Sequence, residues 1–120
     1  MGNMLDELTF GEYISVKRQR AGLSKKEMAN QIFLSATYYS NIENGVRPAP
    51  AKKIQKEIVK ILGLSENEAF HLYDLAARTK KHRTLPVDIC EYISSDENIK
   101  LFLRKAKERN LSGAELLELL

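Results

Sequence analysis

The segment that decides the fold is residues 23–48, which read LSKKEMANQIFLSATYYSNIENGVRP. It contains two helix starts separated by a short apolar break, and it ends with a glycine followed closely by a proline. Ser24 and Glu27 have the spacing of a capping box, in which each side chain accepts a hydrogen bond from the other residue's backbone N–H. Ser35 is placed to cap the second helix. The segment therefore predicts two short helices joined by a tight turn.

The same start and stop signals recur along the rest of the chain. Three further capping boxes are predicted, at Thr9 with Glu12, Ser65 with Glu68, and Ser112 with Glu115. Glycines that suit left-handed helix ends follow three of the apolar runs, namely Gly22, Gly45 and Gly63. The predicted helices cover residues 9–21, 24–31, 36–43, 51–62, 66–79, 87–94, 97–109 and 113–120. Because strand signals are nearly absent, the predicted fold class is all-α.

The composition is typical of a soluble globular protein. Of the 120 residues, 43% are apolar and 29% are charged, and no run of about 18 apolar residues indicates a membrane span. The first ten residues are acidic and lack the apolar stretch of a secretory signal. The single cysteine, Cys90, excludes an internal disulfide and suits a reducing cytoplasm, where we expect the protein to reside.

Charge divides the chain in two. Residues 1–63 carry ten Lys and Arg against six Asp and Glu, whereas residues 64–120 carry nine against ten. The basic stretch RTKKHRTLP, residues 78–86, has the composition of a linker, and whether its cations also bind phosphate is left open. We therefore predict a first domain over residues 1–80 and a C-terminal helical segment over residues 81–120.

Two helices joined by a tight turn form a helix-turn-helix motif, whose second helix lies in the major groove of DNA. The apolar residues of the first helix are Met28, Ala29 and Ile32, and Leu34 fills the turn. The second helix is anchored inward by apolar residues three apart, Tyr39 and Ile42. This leaves an outward or partly outward set that can face base edges: Ala36, Thr37, Tyr38, Ser40 and Asn41.

The segments LSKKEMANQI and SATYYSNIENGVRP resemble the phage-repressor and Cro-like helix-turn-helix family, called Xre, over about residues 10–64. The resemblance implies a five-helix repressor-like domain that binds double-stranded DNA. The residues that it places next to the bases are Ser35, Ala36, Thr37 and Tyr38, with Asn41 as a further base-reading position suited to adenine. The residues that it places on phosphates are Lys25, Asn44 and Arg47. It also implies an internal salt bridge between Arg18 and Glu43.

Phe33 departs from the family pattern, which usually has glycine in the turn. A bulky residue at positive φ costs of order 1 kcal/mol or more. Either the turn is reshaped, or Phe33 packs on a neighbour that offsets the strain, or the ring lies near the DNA backbone. We favour packing on a neighbour.

The C-terminal segment is too apolar to be a free tail, and it resembles tails found behind this domain in small bacterial and mobile-element regulators. Its apolar residues recur at helical spacing, beginning with Val87, Ile89, Tyr92 and Ile93 and ending with Leu116, Leu117, Leu119 and Leu120. They must pack on the first domain or on a second chain. We favour a homodimer, because two recognition helices read half-sites about 34 Å apart on the duplex.

No catalytic, metal or cofactor site is expected. His71, His82 and Cys90 lack metal-ligand spacing, and we expect Cys90 to be a small buried hydrophobe. The lysines of the fourth predicted helix either form a second phosphate patch or, as we favour, its solvated face: Lys52, Lys53, Lys56 and Lys60.

The leading interpretation is a sequence-specific double-stranded DNA-binding transcriptional regulator. We expect a homodimeric repressor in a bacterial or phage-like cytoplasm, associated with the nucleoid when it is bound to DNA. The alternative is an antitoxin-like or adaptor module, whose C-terminal helices bind a protein partner while its DNA binding is autoregulatory. An enzyme is left only as a residual reading.

Overall fold

The computed structural model describes residues 8–80 and 84–120, and within them the chain forms eight α-helices and no strand. The helices are α1 Phe10–Arg20, α2 Lys25–Gln31, α3 Ala36–Glu43, α4 Lys52–Leu62, α5 Glu66–Arg78, α6 Val87–Ser94, α7 Glu97–Glu108 and α8 Gly113–Glu118. The all-α prediction is confirmed, and every predicted helix end lies within two residues of the observed one. The expectations about residues 1–7 and about the cations of residues 81–83 lie outside the described residues.

Local hydrogen bonds set the helix starts. All four predicted capping boxes form, at the starts of α1, α2, α5 and α8. Ser35 caps α3, since its hydroxyl accepts a hydrogen bond from the backbone N–H of Tyr38 at 3.1 Å. Each cap satisfies a backbone donor that has no partner inside its helix. These short-range bonds explain why helices of seven or eight residues begin where the sequence predicts.

A single hydrophobic core lies among α1 to α5. Its largest fully buried side chains come from all five helices: Tyr13, Tyr39, Phe10, Ile14, Met28, Ile42, Ile58 and Leu72. Each such side chain contributes about 1.5–3 kcal/mol by leaving water. This core, rather than the helix propensity of short segments, holds α2 and α3 in their relative orientation.

The chain divides into two compact units, of which the first ends at Val87 and the second is Asp88–Leu120. The second unit has a single buried apolar side chain, Ala106. Its exposed large apolar residues are Ile89, Tyr92, Leu101, Phe102, Leu103, Leu117, Leu119 and Leu120. The assignment of separate roles to residues 1–80 and 81–120 stays a prediction. Among the helices that are described, none is both long and apolar enough to cross a membrane.

Candidate nucleic-acid interface

Helices α2 and α3 pack through the apolar faces predicted from the sequence. Met28 and Ala29 of α2 are buried, as are Tyr39 and Ile42 of α3. Ala29 is 1% exposed, and its small side chain allows the two helix backbones to approach closely. The assignment of Tyr39 to the core is confirmed, because its side chain is fully buried.

A buried ion pair fixes the far end of α3 to α1. Arg18 Nε donates to Glu43 Oε2 at 2.7 Å, and Arg18 Nη2 donates to Glu43 Oε1 at 3.2 Å. Arg18 Nη1 also donates to the carbonyl oxygen of Leu23 at 2.8 Å, at the turn between α1 and α2. The predicted salt bridge is therefore confirmed. It joins the end of α3 to both α1 and the start of α2.

The electrostatics of this pair favour its charged form. Burial by itself raises the pKa of Glu43, but the hydrogen bonds and charge of Arg18, together with the neighbouring hydroxyls of Tyr39 and Ser15, outweigh burial and hold that pKa below its ordinary value. The same hydrogen bonds raise the pKa of Arg18. The hydroxyl of Tyr39 is buried beside the pair without meeting hydrogen-bond geometry, and burial together with the Glu43 carboxylate raises its pKa. The hydroxyl of Tyr39 therefore stays neutral beside the Arg18–Glu43 ion pair.

The opposite side of α3 is open to solvent. Ser35, Ala36, Thr37 and Tyr38 are exposed, and Ser40 and Asn41 are half-buried. Only small or neutral polar groups and one tyrosine lie on this side, so no charge opposes the approach of a polyanion. The roles of these residues in reading bases stay predictions.

Two cations lie beside this open side. Lys25, in the first turn of α2, donates from Nζ to the hydroxyl oxygen of Ser40 at 3.5 Å. Arg47, after α3, places its guanidinium 5.2 Å from the ring centroid of Tyr38. Such a cation–π contact contributes about 0.5–1 kcal/mol at an exposed site. Both cations thus contact the open side of α3, Lys25 at the half-buried Ser40 and Arg47 at the exposed Tyr38. Their role in binding phosphate stays a prediction.

The loop after α3 is ordered by its own backbone. Asn44 is the C-terminal cap of α3, and its N–H donates to the carbonyl oxygen of Ser40 at 3.0 Å. The backbone N–H of Arg47 donates to the carbonyl oxygen of Asn41 at 3.1 Å. The predicted phosphate-binding positions 44 and 47 are therefore held in a fixed relation to α3.

Gly11 positions α3 in a way that the sequence analysis missed. A Cβ built on Gly11 would lie 2.3 Å from the carbonyl oxygen of Glu43 and 2.5 Å from that of Ile42. The start of α1 therefore touches the end of α3 directly, backbone against backbone. The available signal was a glycine inside a helical pattern, which often marks such a close approach.

A second contact that was missed ties α1 to α5. Lys17 forms an ion pair with Glu68, and Tyr13 donates from its hydroxyl to the carbonyl oxygen of Glu68 at 3.2 Å. The hydrogen bond from Lys17 and those at Ser65 lower the pKa of Glu68 to about 2. The edge of the Tyr13 ring also packs on His71, with centroids 4.9 Å apart. Each of these pairs joins residues far apart in sequence, so local patterns did not indicate them.

Two expectations about side-chain burial are wrong. Phe33 has φ +59° and is 94% exposed, so it keeps the left-handed turn without packing on any of the residues that the structure describes. Cys90 is exposed, not buried, because α6 buries none of its side chains. The lysines of α4 are exposed as predicted, while Ile58 on its inner face is buried.

Within the described ranges, no three His, Cys, Asp or Glu residues converge on a metal position.

Comparison with known proteins places the same residues in a known family. A profile described as "Helix-turn-helix domain" matches residues 11–75. The chain is 39% identical over 64 residues to the ImmF control region 10 kDa protein of Bacillus phage phi105, covering 53% of this chain and 70% of that protein. It is 35% identical over 65 residues to the control protein C.MunI of a Mycoplasma species, covering 53% of this chain and 86% of that protein. No solved structure matches the chain significantly.

Proposed function

The chain is a member of the helix-turn-helix domain family of DNA-binding transcription regulators, and on that premise we propose that it is a repressor that reads a specific operator in the major groove. The observation that carries this proposal is the two-sided character of α3. One side is anchored in the core by Tyr39 and Ile42, and the other presents neutral polar groups to solvent. A helix of this size fits a major groove about 12 Å wide.

Base reading is assigned to the exposed start and middle of α3. The amide of Asn41 is suited to a bidentate pair with adenine, and Ala36 offers a methyl group to thymine. Ser35, Thr37, Tyr38 and Ser40 supply further polar groups on the same side. Half-burial of Asn41 supports its role, because a side chain that is already partly fixed loses less entropy on binding.

Affinity is assigned to phosphate contacts on either side of α3. Lys25 at the start of α2 adds its charge to backbone N–H groups that favour anions. Arg47 and Asn44, which follow α3 in the chain, are assigned to the flanking phosphates. Because phosphate contacts release counterions, binding falls steeply as salt concentration rises.

A homodimer is proposed through the second unit. A unit as short as Asp88–Leu120 buries too little apolar surface to be stable alone, and chains below about 40 residues usually need another stabilising partner. A second copy offers the same exposed apolar residues by twofold symmetry. The site of action that fits these relatives is the cytoplasm of a bacterial host.

The interaction-module alternative rests on the same exposed apolar residues. In that case the second unit binds a different protein and the purified chain is a monomer. Light scattering separates the two: the dimer proposal predicts a mass near twice 13.7 kDa at micromolar concentration, and a monomer contradicts it.

The role assignment is tested with three alanine variants on the duplex that the protein enriches from a random pool. Asn41→Ala should lose about 1–3 kcal/mol at one base pair and relax specificity there. Lys25→Ala should weaken all sequences alike and reduce the salt slope by about 1. Lys107→Ala, an exposed lysine of α7, is the matched control and should change neither. Equal losses on specific and random DNA for Asn41→Ala contradict its assignment to base reading, and a loss confined to the specific site for Lys25→Ala contradicts its assignment to phosphate.

A further inference from the structure

Five helices among the described residues end in the same backbone motif, and Phe33 occupies its critical position in one of them. In this Schellman motif a residue at or just after the helix cap adopts the left-handed conformation, and the next residue's N–H donates a hydrogen bond back across the last turn. The left-handed residues are Gly22, Phe33, Gly45, Gly63 and Asn110. The residues that follow them are all apolar: Leu23, Leu34, Val46, Leu64 and Leu111.

The geometry of α2 shows that the motif is complete at Phe33. Its N–H donates to the carbonyl oxygen of Asn30 at 3.3 Å, and the N–H of Leu34 donates to that of Ala29 at 3.0 Å. The turn is therefore not reshaped to suit a bulky residue. The chain uses glycine or asparagine, the residues that tolerate this conformation, at the other four positions.

Among residues 8–80 and 84–120, no packing contact offsets the strain at Phe33. A strained aromatic residue is commonly stabilised by burial, yet this ring is 94% exposed. Strained backbone conformations that the fold does not need are concentrated at binding sites. The exposed and strained position of the ring therefore indicates that Phe33 contacts a ligand of this surface.

We propose that Phe33 is a DNA-contacting residue, whose ring packs on the deoxyribose and thymine methyl surface at the edge of the half-site read by α3. Phe33 lies two residues before Ser35, the cap of α3, and two residues span at most about 7 Å. Ala36 and Thr37, which follow, are exposed on the side assigned to the bases. Phenylalanine is among the side chains that make apolar contacts with the thymine methyl group. The proposal rests on the proposed function of α3.

The test uses a substitution that separates the ring from the backbone strain. Phe33→Gly removes the ring and installs the residue that the chain uses at three equivalent positions. We expect its thermal midpoint to equal or exceed that of the wild type, while affinity for the enriched duplex falls about tenfold. Phe33→Asn should behave in the same way, and Phe33→Tyr should retain affinity because it keeps the ring.

Asn110→Gly is the matched control, since it makes the same kind of change at a left-handed position far from α3 in sequence. Its DNA affinity should equal that of the wild type. Replacing thymine by uracil at the edge of the half-site should weaken binding by the wild type and leave Phe33→Gly unaffected.

The outcomes separate this proposal from the function of α3. If the wild type enriches a site and Phe33→Gly binds it with unchanged affinity, Phe33 does not contact DNA, although α3 still reads it. If Phe33→Gly binds DNA with unchanged affinity but loses self-association, the ring lies in a protein interface, and this result also overturns the proposal. If the wild type enriches no sequence, the proposed function fails, and the assignment of Phe33 fails with it.

Discussion

Gly11 is the position where the addition of one methyl group tests the packing of α3 most sharply. In Gly11→Ala the new Cβ would lie 2.3 Å from one carbonyl oxygen and 2.5 Å from another, and both belong to the backbone at the end of α3. Backbone atoms cannot rotate away as a side chain can. To reach the 3.4 Å of ordinary contact, α1 and α3 must separate by about 1 Å.

The expected loss follows from two opposing terms. Overpacking of this kind costs about 1–3 kcal/mol, and a clash with backbone atoms belongs at the upper end. Alanine offsets up to about 1 kcal/mol of this, because it is the better helix former. The net destabilisation is therefore about 2 kcal/mol, which lowers the thermal midpoint of a domain of this size by about 8–16 °C.

The assay is thermal unfolding followed by near-ultraviolet circular dichroism, which reports on the buried tyrosines of the first unit. The chain has no tryptophan, and Tyr13, Tyr39 and Tyr73 are all buried there. Gly113→Ala is the matched control, because a Cβ at Gly113 meets nothing within 4 Å. It should leave the midpoint unchanged or raise it. A Gly11→Ala protein as stable as the wild type would refute the close approach of α1 to α3.

Two further predictions concern the ion pairs. Arg18→Met should destabilise the protein by about 3–5 kcal/mol in urea denaturation, because it leaves the Glu43 carboxylate buried without a partner. Adding Glu43→Leu should recover most of that loss, and a double variant no more stable than Arg18→Met would contradict this explanation of the loss. The pKa of Glu68 is lowered to about 2 from an ordinary 4.5, so its ion pair should stabilise the fold fully above about pH 5. That contribution should be lost as pH falls from 4.5 towards 2, and Glu68→Gln should flatten the dependence of unfolding free energy on pH over this interval.

The helix ends could be predicted from the sequence because their causes are local. A capping serine and the glutamate three residues later interact within one turn, whatever the rest of the chain does. The left-handed glycines act over a similarly short range. The Arg18–Glu43 pair was anticipated only through the family resemblance, since nothing in the spacing of these two residues brings them together.

The burial of individual side chains was harder to predict, because it depends on partners that are distant in sequence. Phe33 was expected to find a neighbour, but α2 and α3 place its ring outside the core. Cys90 lies on a helix with apolar residues on several sides, so periodicity did not indicate which side faces solvent. Gly11 was overlooked because a glycine in a helix has no side chain from which its contact can be read.

The first measurement to make is selection of bound sequences from a random duplex DNA pool at about 150 mM salt, where non-specific binding is weak. A dimeric regulator that reads bases through α3 should enrich an inverted repeat, with half-site centres about one helical turn, or 34 Å, apart. A folded protein that enriches no sequence would contradict base reading by α3. That result would favour the alternative, in which the exposed apolar residues of the second unit bind a protein partner.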